Sequence, residues 1–90
     1  MEKKRGRLEV IYDILYIVKK NKNSVKTTPL LRKSNLSSER FQRYLSELIE
    51  KGFIREIQDE NGRSVTLTDK GFRYLDTYKN IISFIDEFDL

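Results

Sequence analysis

Apolar residues recur at helical spacing from residue 7 to residue 21, "RLEVIYDILYIVKKN". At 100° per residue they cover more than half of the circumference, which predicts a first helix that contacts more than one other element. The next segment, "NKNS", interrupts the pattern. The apolar positions of this helix are Leu8, Val10, Ile11, Tyr12, Ile14, Leu15, Ile17 and Val18.

A short second helix is predicted in "TTPLLRKSN". Thr28 is a suitable N-cap, and Pro29 suits the first helical position, where its missing N–H has no partner in any case. Asn35 can adopt the left-handed conformation that ends a helix. Ser37 or Ser38 then caps a third helix.

The third helix has the clearest amphipathic pattern in the chain. Phe41, Leu45 and Leu48 share one face, and Gly52 supplies the stop signal after the last apolar position. We therefore expect a helix that packs on the core along one side and leaves its other side free.

A β-hairpin is predicted in "FIREIQDENGRSVTLT", and two registers are possible. A two-residue turn at Asn61–Gly62 would pair Ile57 with Thr66. A three-residue loop over residues 60–62, with Gly62 in the left-handed region, would pair Ile57 with Val65 instead. One-sided burial favours the second register. It places Phe53, Ile57, Val65 and Leu67 on one face.

The last segment, residues 69–90, predicts a helix capped by Thr68. Twenty-two residues at 1.5 Å each span about 33 Å, which is longer than a 90-residue domain can cover. The second half of this helix therefore lacks an obvious partner within the chain.

These elements together predict a mainly α (α+β) winged helix-turn-helix fold with a two-stranded wing and a long C-terminal dimerisation helix. We expect one domain over residues 1–90. It consists of a basic arm at 1–6, a winged-helix core at 7–68 and the C-terminal helix at 69–90.

Composition excludes several function classes. The chain has no cysteine and no histidine, so it has neither a disulfide framework nor the usual zinc ligands. It also has no glycine-rich loop that could hold a phosphate. No apolar stretch is long enough for a signal sequence or a membrane span. We expect a cytoplasmic, nucleoid-associated protein that is not an enzyme and needs no cofactor or small-molecule ligand.

Charge is unevenly distributed along the chain. Residues 1–43 carry twelve basic and four acidic side chains, giving +8, whereas residues 44–90 carry six basic and ten acidic ones, giving −4. Such an asymmetry favours a basic face that binds a polyanion. A lopsided but merely solvated surface is the simpler alternative.

The outward side of the third helix supplies candidate DNA contacts. Arginine pairs with guanine and glutamine with adenine in the major groove, where helix-turn-helix proteins place this helix. Ser37, Ser38 and the helix N-terminus can donate hydrogen bonds to a phosphate. The candidate DNA-binding residues are Ser37, Ser38, Arg40, Gln42, Arg43, Arg32, Lys33, Arg63, Lys4 and Arg5.

Other interpretations fit parts of the same pattern. Arg40 and Arg43 can pair with neighbouring glutamates on a solvated face. The acidic second half and acidic wing suit a winged helix that binds a basic protein rather than DNA. A purely structural dimer is a third possibility.

Three segments resemble a known group: "RLEVIYDIL", "LLRKSNLSSERFQRYLSELIEKGFI" and "VTLTDKGFRYL" are similar to archaeal winged-helix DNA-binding proteins, including the 10a family of dimeric chromatin proteins. The resemblance spans roughly residues 5–80. It implies a winged-helix fold, double-stranded DNA as partner, and a homodimer formed through the C-terminal helix as an antiparallel coiled coil. Such a protein acts as a transcriptional regulator or a nucleoid protein, with sequence-specific or general DNA binding.

The sequence departs from that group in two places. The segment 59–63 corresponds to the tip of the wing, but it holds Asp59 and Glu60 with Arg63 as its only cation. The last helix is short, which favours a compact helical seam over a long coiled coil. The residues predicted at the dimer interface are Ile14, Ile17, Tyr78, Ile81, Ile82, Ile85 and Phe88.

Overall fold

A computed structural model describes residues 5–90 of the chain. The described part contains four helices and one three-stranded antiparallel sheet. In chain order the elements are α1 (Arg7–Lys20), β1 (Val25–Lys26), α2 (Thr27–Ser34), α3 (Ser38–Glu50), β2 (Ile54–Asp59), β3 (Gly62–Leu67) and α4 (Asp69–Glu87). The predicted winged helix-turn-helix architecture is confirmed, with one strand more than predicted.

Side-chain caps define several helix ends, as the sequence predicted. The Ser37 hydroxyl accepts a hydrogen bond from the Arg40 backbone N–H at 3.3 Å, and the Thr68 hydroxyl accepts one from the Gly71 N–H at 3.2 Å. Asn35 ends α2 with φ +59°, in the left-handed region. These contacts fix the tight turn between α2 and α3 and the start of α4.

The predicted start of α2 is wrong. The helix begins at Thr27 with Lys26 as its N-cap residue, so Thr28 is the second helical residue rather than the cap. Pro29 is then third instead of first. This position remains compatible with proline, because the first four N–H groups of a helix have no intrahelical partner.

The strand β1 was not predicted from the sequence. It pairs with β3, placing Val25 opposite Val65, and the sheet order is β1-β3-β2. The Asn23 side-chain oxygen accepts a hydrogen bond from the Leu67 N–H at 2.7 Å. This bond satisfies a backbone donor of β3 that lies beyond the end of β1. Asn23 has φ +58°, a conformation that asparagine tolerates better than most residues.

The predicted register of the wing is also wrong. The hairpin turns through two residues, Glu60 and Asn61, and Ile57 lies opposite Ser64 rather than Val65. The cause is local, since the Asp59 carboxylate accepts a hydrogen bond from the Asn61 N–H at 2.8 Å and turns the chain one residue early. Gly62 has φ +111°, so its predicted positive φ is confirmed.

This register changes which side chains reach the core. Ile54, Val65 and Leu67 are buried, whereas Ile57 is 42% exposed on the other face of the hairpin. Phe53 does not belong to the strand and packs edge-on against Tyr74 at 5.6 Å between ring centroids. The prediction that Phe53 and Ile57 share the core-facing side of the hairpin is therefore wrong, because in β2 it is Ile54 that faces the core.

The first half of α4 closes the core, and one glycine makes this possible. Gly71 is buried, and a Cβ added there would overlap the Phe53 carbonyl oxygen and lie 3.1 Å from the Leu67 side chain. Leu75 is 2% exposed. These two residues are the only buried ones in α4, so the second half of the helix contributes nothing to the core.

A row of tyrosines joins α1 to α4. Tyr16 and Tyr12 are stacked at 5.8 Å, Tyr12 and Tyr78 at 4.6 Å, and Tyr78 and Tyr74 at 6.1 Å between ring centroids. The Tyr74 hydroxyl donates a hydrogen bond to the Leu8 carbonyl at 2.7 Å. Burial raises the pKa of Tyr74 to about 12.

No helix between residues 5 and 90 has the length and apolar character needed to cross a membrane.

Candidate nucleic-acid interface

The exposed side of α3 is built by the periodicity of its sequence. Phe41, Leu45 and Leu48 are at most 2% exposed and hold the helix on the core. Arg43 projects almost opposite to them at 100° per residue, with Arg40 towards one flank. The predicted contact residues Ser37, Ser38, Arg40, Gln42 and Arg43 are all exposed in the first half of the helix or just before it.

A groove runs along one flank of α3, facing the start of α1. It has a volume of about 370 Å³. Four of its residues lie at positions i, i+3, i+4 and i+7 of α3, and the fifth is the first residue of α1. The lining residues are Arg40, Arg43, Tyr44, Glu47 and Arg7.

Glu47 is the only acidic side chain of this groove, and two cations hold it. The Arg7 guanidinium forms an ion pair with its carboxylate, and the Lys51 ammonium lies 2.8 Å from the same oxygen. Hydrogen bonds from Arg7 and then from Lys51 lower the pKa of Glu47 to about 2. Glu47 is therefore ionised at neutral pH and compensates part of the surrounding positive charge.

The other two arginines are much less engaged. Arg43 lies 3.9 Å from Glu39, and both side chains are more than 70% exposed, so this pair contributes little. Within residues 5–90, the Arg40 guanidinium has no ion-pair partner. Both side chains can bind a ligand without first breaking a strong contact.

The end of α2 adds two more cations near the turn. Arg32 and Lys33 are exposed, and the Lys33 ammonium lies 3.3 Å from the Asn21 side-chain oxygen. Their position in the last turn also complements the negative end of the helix dipole. Arg32 and Lys33 therefore lie next to the turn, at the end of α2, which is the first of the two helices of the helix-turn-helix.

Arg5 has a structural contact that the sequence did not predict. Its guanidinium forms an ion pair with Asp13 at 2.7 Å and donates a hydrogen bond to the Ser34 carbonyl at 2.9 Å. These contacts connect Arg5, which was predicted as a DNA contact in the basic arm at 1–6, to α1 and to the end of α2. Lys4, the other residue predicted in the arm, lies outside the described residues.

The wing presents a different surface. Arg63 is paired with the Glu56 carboxylate, and its Nε lies 3.1 Å from that oxygen. Asp59 and Glu60 are exposed at the tip. The Lys26 ammonium donates a hydrogen bond to the Asn61 carbonyl at 2.5 Å, so β1 supports the tip from the side. The predicted contact residue Arg63 is thus paired with a carboxylate of the wing itself, and the wing carries two further acidic side chains at its tip.

Sequence reasoning missed part of the groove. The spacing of Arg40, Tyr44 and Glu47 places them on one flank of α3, and a helical projection would have revealed this stripe. The role of Arg7 had no such signal, since its partner Glu47 is forty residues away.

A helix-turn-helix followed by a β-hairpin defines a winged-helix protein. The chain belongs to the winged helix-turn-helix family, whose model matches residues 4–86. A comparison with the curated proteins finds no significant match.

Solved structures with the same fold include Sso10a-2, a DNA-binding protein from Sulfolobus solfataricus. It has a TM-score of 0.77 and 19% identity, and the match covers 93% of this chain and 85% of that one. SSV1 F-93 matches over 98% of this chain and 99% of its own, with a TM-score of 0.69 and 23% identity.

A third match is a mutant of MarR from E. coli in complex with operator DNA. Its TM-score is 0.66 at 18% identity, and the match covers 74% of this chain and 49% of that chain. At these identities the likenesses establish the winged-helix fold of this chain.

Proposed function

We propose that this protein binds double-stranded DNA as a small homodimer and acts as a transcriptional regulator or nucleoid protein. The observation that carries the proposal is the exposed, basic first half of α3, where Arg43 faces outward and Arg40 has no ion-pair partner within residues 5–90. Helix-turn-helix proteins place this part of the helix in the major groove. Sso10a-2 is a DNA-binding protein, and the MarR structure holds operator DNA, which supports the same role here.

Affinity in this proposal comes mainly from contacts to phosphates. About five such contacts would give a slope near −4.5 in a plot of log affinity against log salt concentration. Base selectivity, where it exists, comes from Arg43 and Gln42 at the base edges. Ser37 and Ser38 at the start of α3 donate to a phosphate and hold the helix in place.

A charge reversal at Arg43 tests the proposal directly. Arg43→Glu should weaken binding to a random-sequence duplex at least tenfold at low salt, because an attraction to phosphate is replaced by a repulsion. The matched control is Arg73→Glu, which changes net charge equally on an exposed position of α4. An unchanged gel shift from folded Arg43→Glu, or a wild-type protein that does not bind duplex DNA, would favour a protein partner instead.

The homodimer rests on the second half of α4. Ile81, Phe84 and Phe88 are 50%, 55% and 57% exposed, and the Phe84 and Phe88 rings lie 4.9 Å apart. Monomers rarely expose several large apolar side chains in one contiguous patch. In a twofold dimer the patch of one chain would pack against the same patch of the second chain. The predicted seam also includes Ile82 and the half-buried Tyr78 and Ile85.

Helix α1 contributes less to the seam than predicted. Ile14 is fully buried in the core, so the prediction that it lines the dimer interface is wrong. Ile17 is half-buried and stays in the proposed seam. The apolar surface of α1 is wide because the helix touches α2, α4 and β3 of its own chain.

Sedimentation tests the dimer. At micromolar concentration the wild-type protein should show about twice the 10.8 kDa mass of one chain. Ile85→Glu should give monomers with weakened DNA binding, because a charge is placed in the apolar seam. The control Asp76→Glu keeps the charge of an exposed α4 residue and should stay dimeric. A monomeric wild-type protein would contradict this part of the proposal.

A further inference from the structure

We infer that Arg7, Arg40 and Tyr44, on the flank of α3 next to the outward-facing Arg43, form a seat for one phosphate of the DNA backbone, and that Glu47 limits its affinity. The inference rests on the DNA-binding function proposed above and adds a residue of α1 to the interface. It also gives Arg40 a role in binding the backbone rather than in reading a base.

The position of Arg7 is the first argument. Its guanidinium is held by Glu47 at the edge of the groove, yet its side chain is 53% exposed. A guanidinium has five N–H donors, and one carboxylate cannot use all of them. Arg7 can therefore keep its ion pair and still present donors to a second oxyanion.

The charge balance of the groove is the second argument. Three guanidinium groups face one carboxylate, which leaves an excess of two positive charges among the lining residues. The phenol of Tyr44 can add a neutral donor. Planar guanidinium groups bind the oxygens of phosphates and carboxylates in a bidentate manner, and the DNA-binding function proposed above selects a phosphate as the ligand.

The third argument is the location of the groove relative to a bound duplex. An α-helix with its side chains is about 10–12 Å wide, and the major groove is about 12 Å wide. A helix lying there must bring its flanks close to the two sugar–phosphate strands. Arg40 and Tyr44 lie on one such flank, and Arg7 extends that flank beyond the helix itself.

The role of Glu47 follows from its ionisation. Hydrogen bonds from Arg7 and Lys51 lower the pKa of Glu47 to about 2, so its carboxylate is negative at neutral pH. It orients Arg7 but also repels the incoming phosphate. The groove is thus a phosphate site with a fixed negative charge on its wall.

Removing Arg7 should have a measurable and sequence-independent effect. One phosphate contact fewer lowers the salt slope by about 0.9 and, at about 100 mM salt, the affinity by roughly eightfold. Arg7→Ala should show this loss on two unrelated duplexes, and Arg7→Lys should recover part of it. The matched control Arg73→Ala removes an arginine that does not line this groove.

Glu47→Gln separates a binding role from a structural one. Glutamine keeps an oxygen acceptor for Arg7 but removes the negative charge, so binding should become about two- to fourfold tighter. If the Arg7–Glu47 pair only stabilised the fold, both substitutions would weaken binding together with thermal stability. That outcome, or an unchanged slope for Arg7→Ala, would overturn the inference.

Two further measurements distinguish a backbone phosphate from a free anion, and failure of the phosphate seat from failure of the proposed DNA-binding function. Inorganic phosphate that binds the wild-type protein but not Arg7→Ala, while Arg7→Ala leaves duplex affinity and salt slope unchanged, would identify a free-anion site and overturn the backbone role. If wild-type protein binds DNA and Arg43→Glu does not, a silent Arg7→Ala refutes only the groove. If wild-type protein fails to bind, the proposed function itself is refuted.

Discussion

The first half of α3 and the tip of the wing belong to the same small core, but they present different charges: two arginines and one glutamate on residues 38–44, and two carboxylates at the tip. On α3 and its flank, Arg40 and Arg43 are exposed and weakly engaged. On the wing, Arg63 is paired with Glu56, and the tip holds two exposed carboxylates. The comparison teaches that topology alone does not assign a DNA contact. In this chain the balance of free and compensated charge favours the helix.

The two regions also differ in how they are held. α3 is fixed along its length by buried apolar side chains, whereas the wing is fixed at its base and, on one side, by β1. There the Thr68 hydroxyl lies 2.5 Å from the Gly52 carbonyl oxygen, and Gly71 allows α4 to approach the Phe53 carbonyl. Beyond this base, β1 pairs with β3, and the Lys26–Asn61 hydrogen bond extends this support to the tip.

The largest effect is expected at the base of the wing. Gly71→Ala would place a Cβ on the Phe53 carbonyl oxygen, and relieving that overlap must move α4 or the start of β2. Overpacking of this kind costs about 1–3 kcal/mol in the free energy of unfolding. Urea denaturation measures the loss. Gly6→Ala is the control, because a Cβ there has nothing within 4 Å, and equal stability of the two variants would contradict the described contact.

A smaller effect is expected at the wing tip. If the acidic tip lies near the DNA backbone, the double variant Asp59→Asn/Glu60→Gln should tighten binding about fourfold. Two charges about 10 Å from a phosphate each cost about 0.4 kcal/mol in water. Asparagine at 59 keeps the oxygen that accepts from the Asn61 N–H, so the turn should persist. The matched control is Asp76→Asn with Glu87→Gln on α4; equal gains in both variants would show that only net charge matters.

The smallest effect is expected in the pH dependence of stability, as a loss of stability in acid that comes from Glu47. The pKa of Glu47 is lowered in the folded state from 4.5 to about 2, so the folded protein binds this proton less readily than the unfolded chain. The stabilisation is present above about pH 4.5 and is lost as pH falls towards about 2. Thermal melting between these values should show a shallower decline for Glu47→Gln than for wild type. An identical decline would mean that the ion pair with Arg7 does not persist in solution.

Features set by local chemistry were predictable from the sequence. Ser37 and Thr68 cap their helices through hydrogen bonds to residues three positions away, and Asn35 ends α2 because its own side chain tolerates positive φ. The apolar faces of α1 and α3 follow from periodicity. These features place the exposed side of α3, and with it the central residues of the candidate interface.

Features set by contacts between distant residues were not predictable. The short strand β1 depends on Asn23 reaching Leu67, forty-four residues away. In the wing, the apolar alternation favours a three-residue loop, whereas the hydrogen bond from the Asn61 N–H to the Asp59 side chain favours a two-residue turn. The structure has the two-residue turn. The pairing of Arg7 with Glu47 has no sequence pattern at all, because any of several acidic residues could have served.

The row of tyrosines between α1 and α4 gives this protein an intrinsic spectroscopic reporter. The chain contains five tyrosines and no tryptophan, and four of those tyrosines lie in the row. Its near-ultraviolet circular dichroism therefore arises largely from rings whose asymmetry depends on α4 docking against α1. Such signals vanish when side-chain packing is lost, even where helices persist. Recorded beside the far-ultraviolet signal, this band distinguishes detachment of α4 from unfolding of the helices themselves.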